Sequence, residues 1–374
     1  MVRCWAGVLP LALMHVACAH DATNQPPGSF LPEQSGFVLT PLTAEPDDKM
    51  PAEIEPTDAD LKLSLAGEWE PVDRVVLGWS EESDDLAPFF GAITQAALEQ
   101  SAVTVLVPST VRPRRVSRLL RSVGVSVDYV DYEVAPVDTM WIRDYGPLIL
   151  RNAWGEREIV DLPYAEDRPQ DDQVPRVLAA TWQLPLKDMP LDLEGGHLLA
   201  DGTGRCVITD DVLIRDADTH SWGEIQDLFE ENLGCSKLVV VPALEGEPTG
   251  HLDMFAYITG PGHVLVGSYT EKDDARNAQV LDQAAQILTE ARFHVTRIPM
   301  PRNDSRKIFR TYTNALIVNR IVFVPVYKAD TRHQQEALDI FQRAFPKRTI
   351  VPVASDQIAE LSGAVHCAAI TLPE

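Results

Sequence analysis

The chain has 374 residues, of which 45% are hydrophobic and 24% are charged. That is enough apolar sequence for a sizeable core in one large domain or two ordinary ones. Acidic residues outnumber basic ones, and the formal net charge is −24. Such an excess of carboxylates repels phosphate backbones, which argues against a nucleic-acid partner. It attracts cations such as amines and guanidinium groups, although the same charge also serves solubility.

Residues 1–19 are typical of an export signal. The apolar run at residues 5–14 follows Arg3 and is too short to span a bilayer, and we expect no transmembrane helix elsewhere. Residues 17–19 match an A-x-A cleavage site, whereas residues 16–18 resemble a bacterial lipobox that would attach a lipid to Cys18. We therefore expect an exported protein that is periplasmic, at the cell surface or secreted, with a lipid anchor at Cys18 as one alternative.

Residues 20–67 are predicted to form a disordered linker. Residues 20–60 contain seven prolines, nine acidic residues and one lysine, with few large apolar side chains. Such a segment buries too little surface to offset the entropy lost on ordering. The folded part is predicted to be one domain, residues 68–374.

Strand-like and helical segments alternate through this domain, which predicts an α/β fold. From the third helix onwards the units recur at roughly fifty to sixty residues, which indicates an internal repeat of supersecondary size. The predicted helices cover residues 86–100, 113–122, 173–183, 221–233, 275–290 and 333–344. The predicted strands cover residues 72–79, 103–107, 157–162, 205–209, 236–242, 263–267, 293–299, 312–318, 321–326 and 348–353.

Three cysteines lie in the predicted domain: Cys206, Cys235 and Cys367. An odd number leaves at least one thiol free in an exported protein. Cys206 and Cys235 either form a disulfide or are separately buried, and both alternatives stay open. Cys367 follows small residues that give access to its sulfur, so it is the candidate nucleophile. Because adjacent residues of a strand face opposite sides, His366 is not expected to be its general base.

Three other short segments concentrate chemically active residue types. Residues 140–147 place Trp141, Arg143 and Asp144 before a Gly-Pro turn, which suits the wall of a site. Glu194 precedes two glycines that let the backbone approach closely.

In the third segment, residues 250–255, an extended backbone would direct His251 and Asp253 to one face at about 7 Å spacing. A metal site built from these two residues with Glu194 and His197 is conceivable but less favoured, since no H-E-x-x-H or Cys-x-x-Cys spacing is present.

In this order, W-x-R-D-x-G-P, E-G-G, G-H-x-D and a small-residue run ending in His-Cys resemble the agmatine deiminase and bacterial peptidylarginine deiminase family. The resemblance runs from about Glu68 to Pro373. It implies an α/β pentein fold, the α/β propeller, in which five ββαβ-like units surround a central active site. It also implies that the enzyme uses no metal and no other cofactor.

The resemblance further implies the residue roles. Cys367 would be the nucleophile and His251 the acid and base, with Glu194 orienting that histidine. Asp144 and Asp253 would bind the guanidinium group of a cationic substrate. Substrate-binding positions are expected at Trp141, Arg143, Arg168 and Asn314.

The substrate is the open question at this stage. Glu194 before the two glycines looks more like the agmatine branch, whose reaction belongs to putrescine biosynthesis. The stretches around Trp141, Tyr164 and Asn314 look more like the peptidylarginine branch, and Arg168 occupies a position that would bind a substrate carboxylate. Because export would separate the enzyme from cytosolic agmatine, peptidyl-arginine is the favoured substrate and agmatine the alternative. An amidinotransferase and a non-catalytic surface-binding protein are less favoured.

Overall fold

The part of the chain that the structure describes begins inside the predicted linker. A computed structural model describes residues 61–165, 167–302, 308–328 and 331–374, so the predicted leader and residues 20–60 lie outside the described residues. Strand β1 (Ser64–Leu65) pairs antiparallel with strand β5 (Leu148–Arg151). Leu63 and Leu65 pack against a buried apolar cluster, which offsets the entropy lost on ordering. The folded domain therefore starts before residue 68.

Five small sheets repeat one pattern. In each, the first strand runs antiparallel to the second, and the third runs parallel to the second. Four of these triplets are β5 with β6 (Arg157–Asp161) and β7 (Leu186–Asp188); β8 (Leu198–Ala200), β9 (Arg205–Thr209) and β10 (Lys237–Val241); β11 (Ala256–Gly260), β12 (His263–Ser268) and β13 (His294–Pro299); and β14 (Leu316–Val318), β15 (Ile321–Val326) and β16 (Thr349–Ala354). The fifth consists of β17 (Ala369–Pro373), β2 (Val72–Gly78), β3 (Ala102–Val107) and β4 (Val130–Val134).

A helix connects the second and third strands of every sheet, as a parallel connection requires. The chain is therefore an α/β protein with five ββαβ units. The helices are α1 (Ala87–Ala97), α2 (Pro113–Ser122), α3 (Ile142–Tyr145), α4 (Val174–Trp182), α5 (Asp211–Arg215), α6 (Trp222–Leu233), α7 (Glu271–Glu290), α8 (Gln334–Ala344) and α9 (Asp356–Ala359). Within the described residues, none of them is long and apolar enough to cross a membrane.

The fifth unit joins distant parts of the chain. Strand β17 pairs antiparallel with β2, and the backbone N–H of Glu374 donates to the carbonyl of Pro71 at 3.0 Å. Helix α1 buries Phe90 and Ile93 completely, in one apolar cluster with β2 and β3. Burying a side chain of this size contributes roughly 1.5–3 kcal/mol. The residues after Cys367 are thus a core strand rather than a loose tail.

Cys206 and Cys235 form a disulfide, which resolves the alternatives that the sequence left open. Their Cα atoms lie 5.6 Å apart. Cys206 lies in β9, and Cys235 precedes β10, the parallel neighbour of β9. The bond therefore staples the second and third strands of one unit, and Cys367 is the free cysteine among the described residues.

Candidate active site

Each of the five units contributes one segment to the site, and each segment immediately precedes the first strand of its sheet. The five segments meet around the thiol of Cys367. They supply Asp144 before β5, Glu194 before β8, His251 and Asp253 before β11, Asn314 before β14, and Cys367 before β17.

The sulfur of Cys367 is buried in a polar setting. The side-chain amide of Asn314 lies 3.1 Å from Sγ, and its oxygen accepts the backbone N–H of Cys367 at 3.3 Å. Oδ2 of Asp253 lies 3.7 Å from Sγ. Burial and the negative charge of Asp253 raise the pKa of the Cys367 thiol to about 12. Without a bound cation, the sulfur is therefore protonated at neutral pH.

His251 and Asp253 reach this site by a backbone that is not extended. Gly250 has a φ of +71°, and residues 252–254 form a turn of 3₁₀ helix, so the condition for the one-face argument is not met. The left-handed φ of Gly250 and the helical turn break the alternation on which that argument rested. His251 and Asp253 nevertheless both lie in the site, and Leu252 and Met254 pack into the core.

The imidazole of His251 is buried among carboxylates. Its Nε2 lies 2.9 Å from Oε2 of Glu194, and its Nδ1 lies 3.7 Å from Oδ1 of Asp144. Burial by itself would lower the pKa of His251, but Asp144, the hydrogen bonds to Cys367 and Glu194, and Asp253 raise it well above its usual value. The ring is therefore an imidazolium that can give up a proton beside the sulfur.

The two glycines after Glu194 make room for this arrangement. A Cβ on Gly196 would lie 2.3 Å from Nδ1 of His251, and a Cβ on Gly195 would lie 2.0 Å from the backbone oxygen of Arg143. Neither contact is tolerable for a side chain. The E-G-G motif thus lets the imidazole and the segment of Asp144 close on Glu194.

Asp144 and Asp253 each have one buried oxygen, Oδ1, that accepts no hydrogen bond from the described residues. Oδ1 of Asp144 faces Nδ1 of His251 at 3.7 Å, beyond hydrogen-bond distance. Burial, together with the charges of Glu194 and Asp253, raises the pKa of Asp144 to about 8, although His251 opposes the shift. Two buried acceptors without donors, beside a thiol, form a site for a cation that carries several N–H groups.

Glu194 is held by a second set of polar residues. Arg215 donates to Oε1 of Glu194 at 2.9 Å and to Asp211 at 2.7 Å. The backbone N–H of Glu194 donates to Nδ1 of His197, so His197 carries its proton on Nε2, which faces Asp211 at 3.2 Å. Burial and the charge of His251 lower the pKa of His197 to about 4, so this ring is neutral.

The metal site considered from the sequence would use residues of this same polar set. Ligand atoms of Glu194, His197 and His251 lie within 4.8 Å of one another. Both ring nitrogens of His197 and both oxygens of Glu194 are already hydrogen-bonded to protein groups. Because these donor atoms are engaged within the protein, they form a hydrogen-bonded network and do not fit a metal site. This network, with Asp211 and Arg215, was missed by the sequence analysis.

Arg143, which was predicted to bind substrate, is paired on one side of its guanidinium. Its Nη1 pairs with Oε1 of Glu68 at 3.0 Å, and its backbone N–H donates to the carbonyl of Cys367 at 3.1 Å. Its guanidinium is thus engaged with the N-terminal segment. Glu68 and His366, which share this region, were not predicted as site residues; no local motif marks Glu68, and His366 was considered only as a base for Cys367 and set aside.

Trp141 and Arg168 lie towards solvent. Both line an open cleft of about 800 Å³, whose lining also includes the acidic residues Glu81, Glu82 and Asp138. The ring of Trp141 lies against Gly363, where a Cβ would approach it to 2.2 Å. The cleft therefore adjoins the segment that carries Cys367. Arg168 is brought to the cleft and not to the thiol.

Comparison with known proteins agrees with this geometry. Residues 64–373 match the family model of Porphyromonas-type peptidyl-arginine deiminase. The chain belongs to this family. It is therefore a hydrolase that acts on the C–N bonds of guanidino groups, with a cationic guanidino substrate.

Individual members are similar over nearly the whole domain. The agmatine deiminase of Pseudomonas aeruginosa is 26% identical over 359 residues, which are 81% of this chain and 93% of that protein. The structure of the agmatine deiminase of Enterococcus faecalis has a TM-score of 0.74 at 22% identity and covers 83% of this chain and 96% of its own. A C. jejuni agmatine deiminase variant with substrate bound has a TM-score of 0.73 at 17% identity, over 84% and 97% of the two chains. These two structures share the fold.

Proposed function

We propose that this protein deiminates agmatine, giving N-carbamoylputrescine and ammonia. The observation that carries the proposal is the pair of buried, unpartnered oxygens of Asp144 and Asp253 beside the thiol of Cys367. The curated relatives named as agmatine deiminases support this substrate over peptidyl-arginine, the one favoured by the sequence alone.

The charge of the cleft supports the same choice. Among the residues that line it, three carry carboxyl groups and Arg168 carries the positive charge. A net negative cleft attracts the ammonium group at the far end of agmatine. It disfavours the carboxylate of free arginine.

The binding step places the guanidinium carbon. A guanidinium ion is planar and resonance-stabilised, so its carbon is a poor electrophile until it is oriented and its charge is confined. The carboxylates of Asp144 and Asp253 accept its N–H groups and hold the carbon facing Sγ of Cys367. The arriving cation also lowers the pKa of the thiol, which releases its proton to solvent water and becomes a thiolate.

The covalent steps follow from the position of His251. Attack by the Cys367 thiolate forms a C–S bond and a tetrahedral adduct. His251 donates its proton to the departing nitrogen, the C–N bond breaks, and ammonia leaves. The remaining S-alkylthiouronium is attacked by water, whose proton His251 accepts. Collapse breaks the C–S bond and releases the ureido product and the thiol.

Peptidyl-arginine is the second candidate. The observation in its favour is Arg168, a cation in the cleft that could bind a substrate carboxylate. Export, which we also propose, would place the enzyme among extracellular peptides. The Cys206–Cys235 disulfide supports export, because such bonds persist in oxidising compartments.

A substrate panel tests the assignment. The purified protein is incubated with agmatine, free arginine and arginyl peptides blocked at either or both termini, and ammonia and ureido product are measured. We expect the highest kcat/KM for agmatine. A higher value for any arginyl peptide would overturn the choice of agmatine, and turnover of none of these compounds would overturn deimination itself. Mass spectrometry of the mature N-terminus separates simple cleavage from a lipid at Cys18.

We also propose that the five units surround the site as a pentein propeller. The support is that each unit contributes one site segment at the same point of its ββαβ order.

A further inference from the structure

An N-terminal strap, residues 61–70, lies against several units of the domain. Its strand β1 pairs with β5, and Asn152 donates to the carbonyl of Leu61. The indole of Trp69 donates to the carbonyl of Asp201 at 3.2 Å, and its own carbonyl accepts from Arg348. These anchors hold the residue between Gly67 and Trp69 in a fixed position.

That residue, Glu68, reaches the rear of the active site. Its two carboxylate oxygens lie 2.7 and 2.9 Å from Nε2 of His366. On the other side of the ring, Nδ1 lies 2.7 Å from Oδ2 of Asp253. His366 is completely buried, and both its nitrogens face carboxylates, so both donate and the ring is an imidazolium.

The hydrogen bonds from Glu68 through His366 determine which oxygen of Asp253 is available to bind a ligand. His366 occupies Oδ2, which leaves Oδ1 buried and without a partner among the described residues. Oδ1 is the atom that would bind the guanidinium. A carboxylate fixed by a charge-assisted hydrogen bond cannot rotate freely away from its ligand.

Glu68 also balances the charge of Arg143. The two groups pair at 3.0 Å, and the side chains of Arg143 and Glu68 are 11% and 19% exposed. The positive charge of Arg143 would otherwise act on His366 and on any cationic substrate. Burial raises the pKa of Glu68, but His366 and Arg143 outweigh this and lower it to about 2, so the carboxylate stays charged.

We propose that Glu68 is a positioning residue of the active site, which acts through His366 to fix Asp253 and through Arg143 to keep the guanidinium site free of excess positive charge. The proposal rests on the proposed function, because it assigns Asp253 to substrate binding. It makes the strap, of which residues 61–67 were predicted to be linker, a working part of the site.

The kinetic test is Glu68→Gln, which keeps the shape and removes the charge. One or two charge-assisted bonds are weakened, so kcat/KM for the preferred guanidine is expected to fall about ten- to a hundredfold, mainly through KM. Glu68→Asp should recover part of this loss. His366→Gln serves as a second variant if Glu68→Gln does not fold, and it should raise KM in the same way.

Glu70→Gln is the matched control. Glu70 lies on the same strap and is more deeply buried than Glu68, but it pairs with Arg151 and accepts the backbone N–H of Gly67 at 2.7 Å. This variant should lower the unfolding temperature and leave KM unchanged. If Glu70→Gln raises KM as much as Glu68→Gln, the strap is merely structural and the proposal fails.

A second measurement does not depend on turnover. The rate of Cys367 alkylation is compared for 2-chloroacetamidine, a planar amidinium, and for neutral iodoacetamide. Glu68→Gln should reduce the preference for the cationic reagent about tenfold or more, and Glu70→Gln should not. If Glu68→Gln kept the wild-type preference for the cationic reagent, the positioning role would be overturned. If the wild-type protein deiminates nothing but the preference still falls in Glu68→Gln, the proposed function fails while the positioning role stands.

Discussion

Two buried histidines stand on either side of the thiol, and their surroundings differ in one respect. His366 has carboxylate oxygens 2.7 Å from each of its ring nitrogens. His251 has one such partner, Glu194 at 2.9 Å, while its other nitrogen lies 3.7 Å from Asp144. A ring saturated by two short hydrogen bonds holds its protons in place. A ring with one loosely engaged nitrogen can transfer a proton.

The difference explains why sequence proximity does not assign the general acid. His366 is adjacent to Cys367, yet its bonds point to Asp253 and Glu68. His251 is far away along the chain, yet its imidazole lies close enough to oppose the rise in the pKa of the Cys367 thiol. The histidine that acts as the general acid is the one with a ring nitrogen free of a short hydrogen bond. Its position in the sequence does not decide this.

Removal of the group that both histidines flank should have the largest effect. Cys367→Ala is expected to reduce ureido product formation by at least about 10⁴-fold, because Cys367 carries the free thiol of the described residues. Colorimetric assay of the product measures the loss, and circular dichroism checks that the fold survives. Appreciable turnover by a folded Cys367→Ala protein would exclude the covalent mechanism.

Substitution of the two histidines should have the next largest effects, and the two effects should differ in kind. His251→Gln should lower kcat about 10²- to 10⁴-fold, because it removes proton transfer. His366→Gln should instead raise KM about ten- to a hundredfold, because it releases Asp253. Steady-state kinetics on both variants give the split between kcat and KM. Equal effects on kcat would remove the distinction between a transferring and a positioning histidine.

The acid limb of the pH profile should come from Asp144, which lies beside His251. Asp144 binds the guanidinium as a carboxylate, and burial raises its pKa to about 8. Activity therefore falls as the pH drops through this value, by about tenfold in kcat/KM per pH unit below it. Asp144→Asn should abolish this limb along with most activity, and His366→Gln should leave it in place. A profile that stays flat down to pH 6 in the wild-type protein would contradict the assignment.

The smallest effect on activity should come from the disulfide, which lies outside both clusters. Replacing Cys206 and Cys235 by alanine should lower the free energy of unfolding by about 2–4 kcal/mol. Urea denaturation measures this change, and kcat/KM at a temperature where the variant is folded should match that of the wild type. A shifted KM in the disulfide variant would mean that this staple also shapes the site.

Much of the fold could be predicted from hydrophobic pattern. The predicted helix at residues 113–122 matches α2 residue for residue, and the long apolar strands β2, β3 and β15 were all found. The strand predicted at residues 312–318 begins only at Leu316, because Thr311 and Thr313 form polar turns before it. The short first strands, such as β8 with three residues, were missed, since so short a run has no measurable period.

The predictability of the site divides along the same lines. Five site residues lie in short glycine-bounded motifs, so the sequence could single them out. They are Cys367, His251, Asp253, Asp144 and Glu194. Glu68 could not be found this way, because its hydrogen bond joins it to a residue 298 positions away. In the sequence, Glu68 is one more acidic residue beside an acid-rich segment. Only the fold brings the imidazole of His366 to it.

The pairing of β17 with β2 has a consequence for how the enzyme becomes active. The nucleophile lies just before β17, so its position depends on the pairing of β17 with β2. Contacts between residues so distant in the chain form slowly, since a very long loop must close first. We therefore expect the active site to be completed only when this last strand docks.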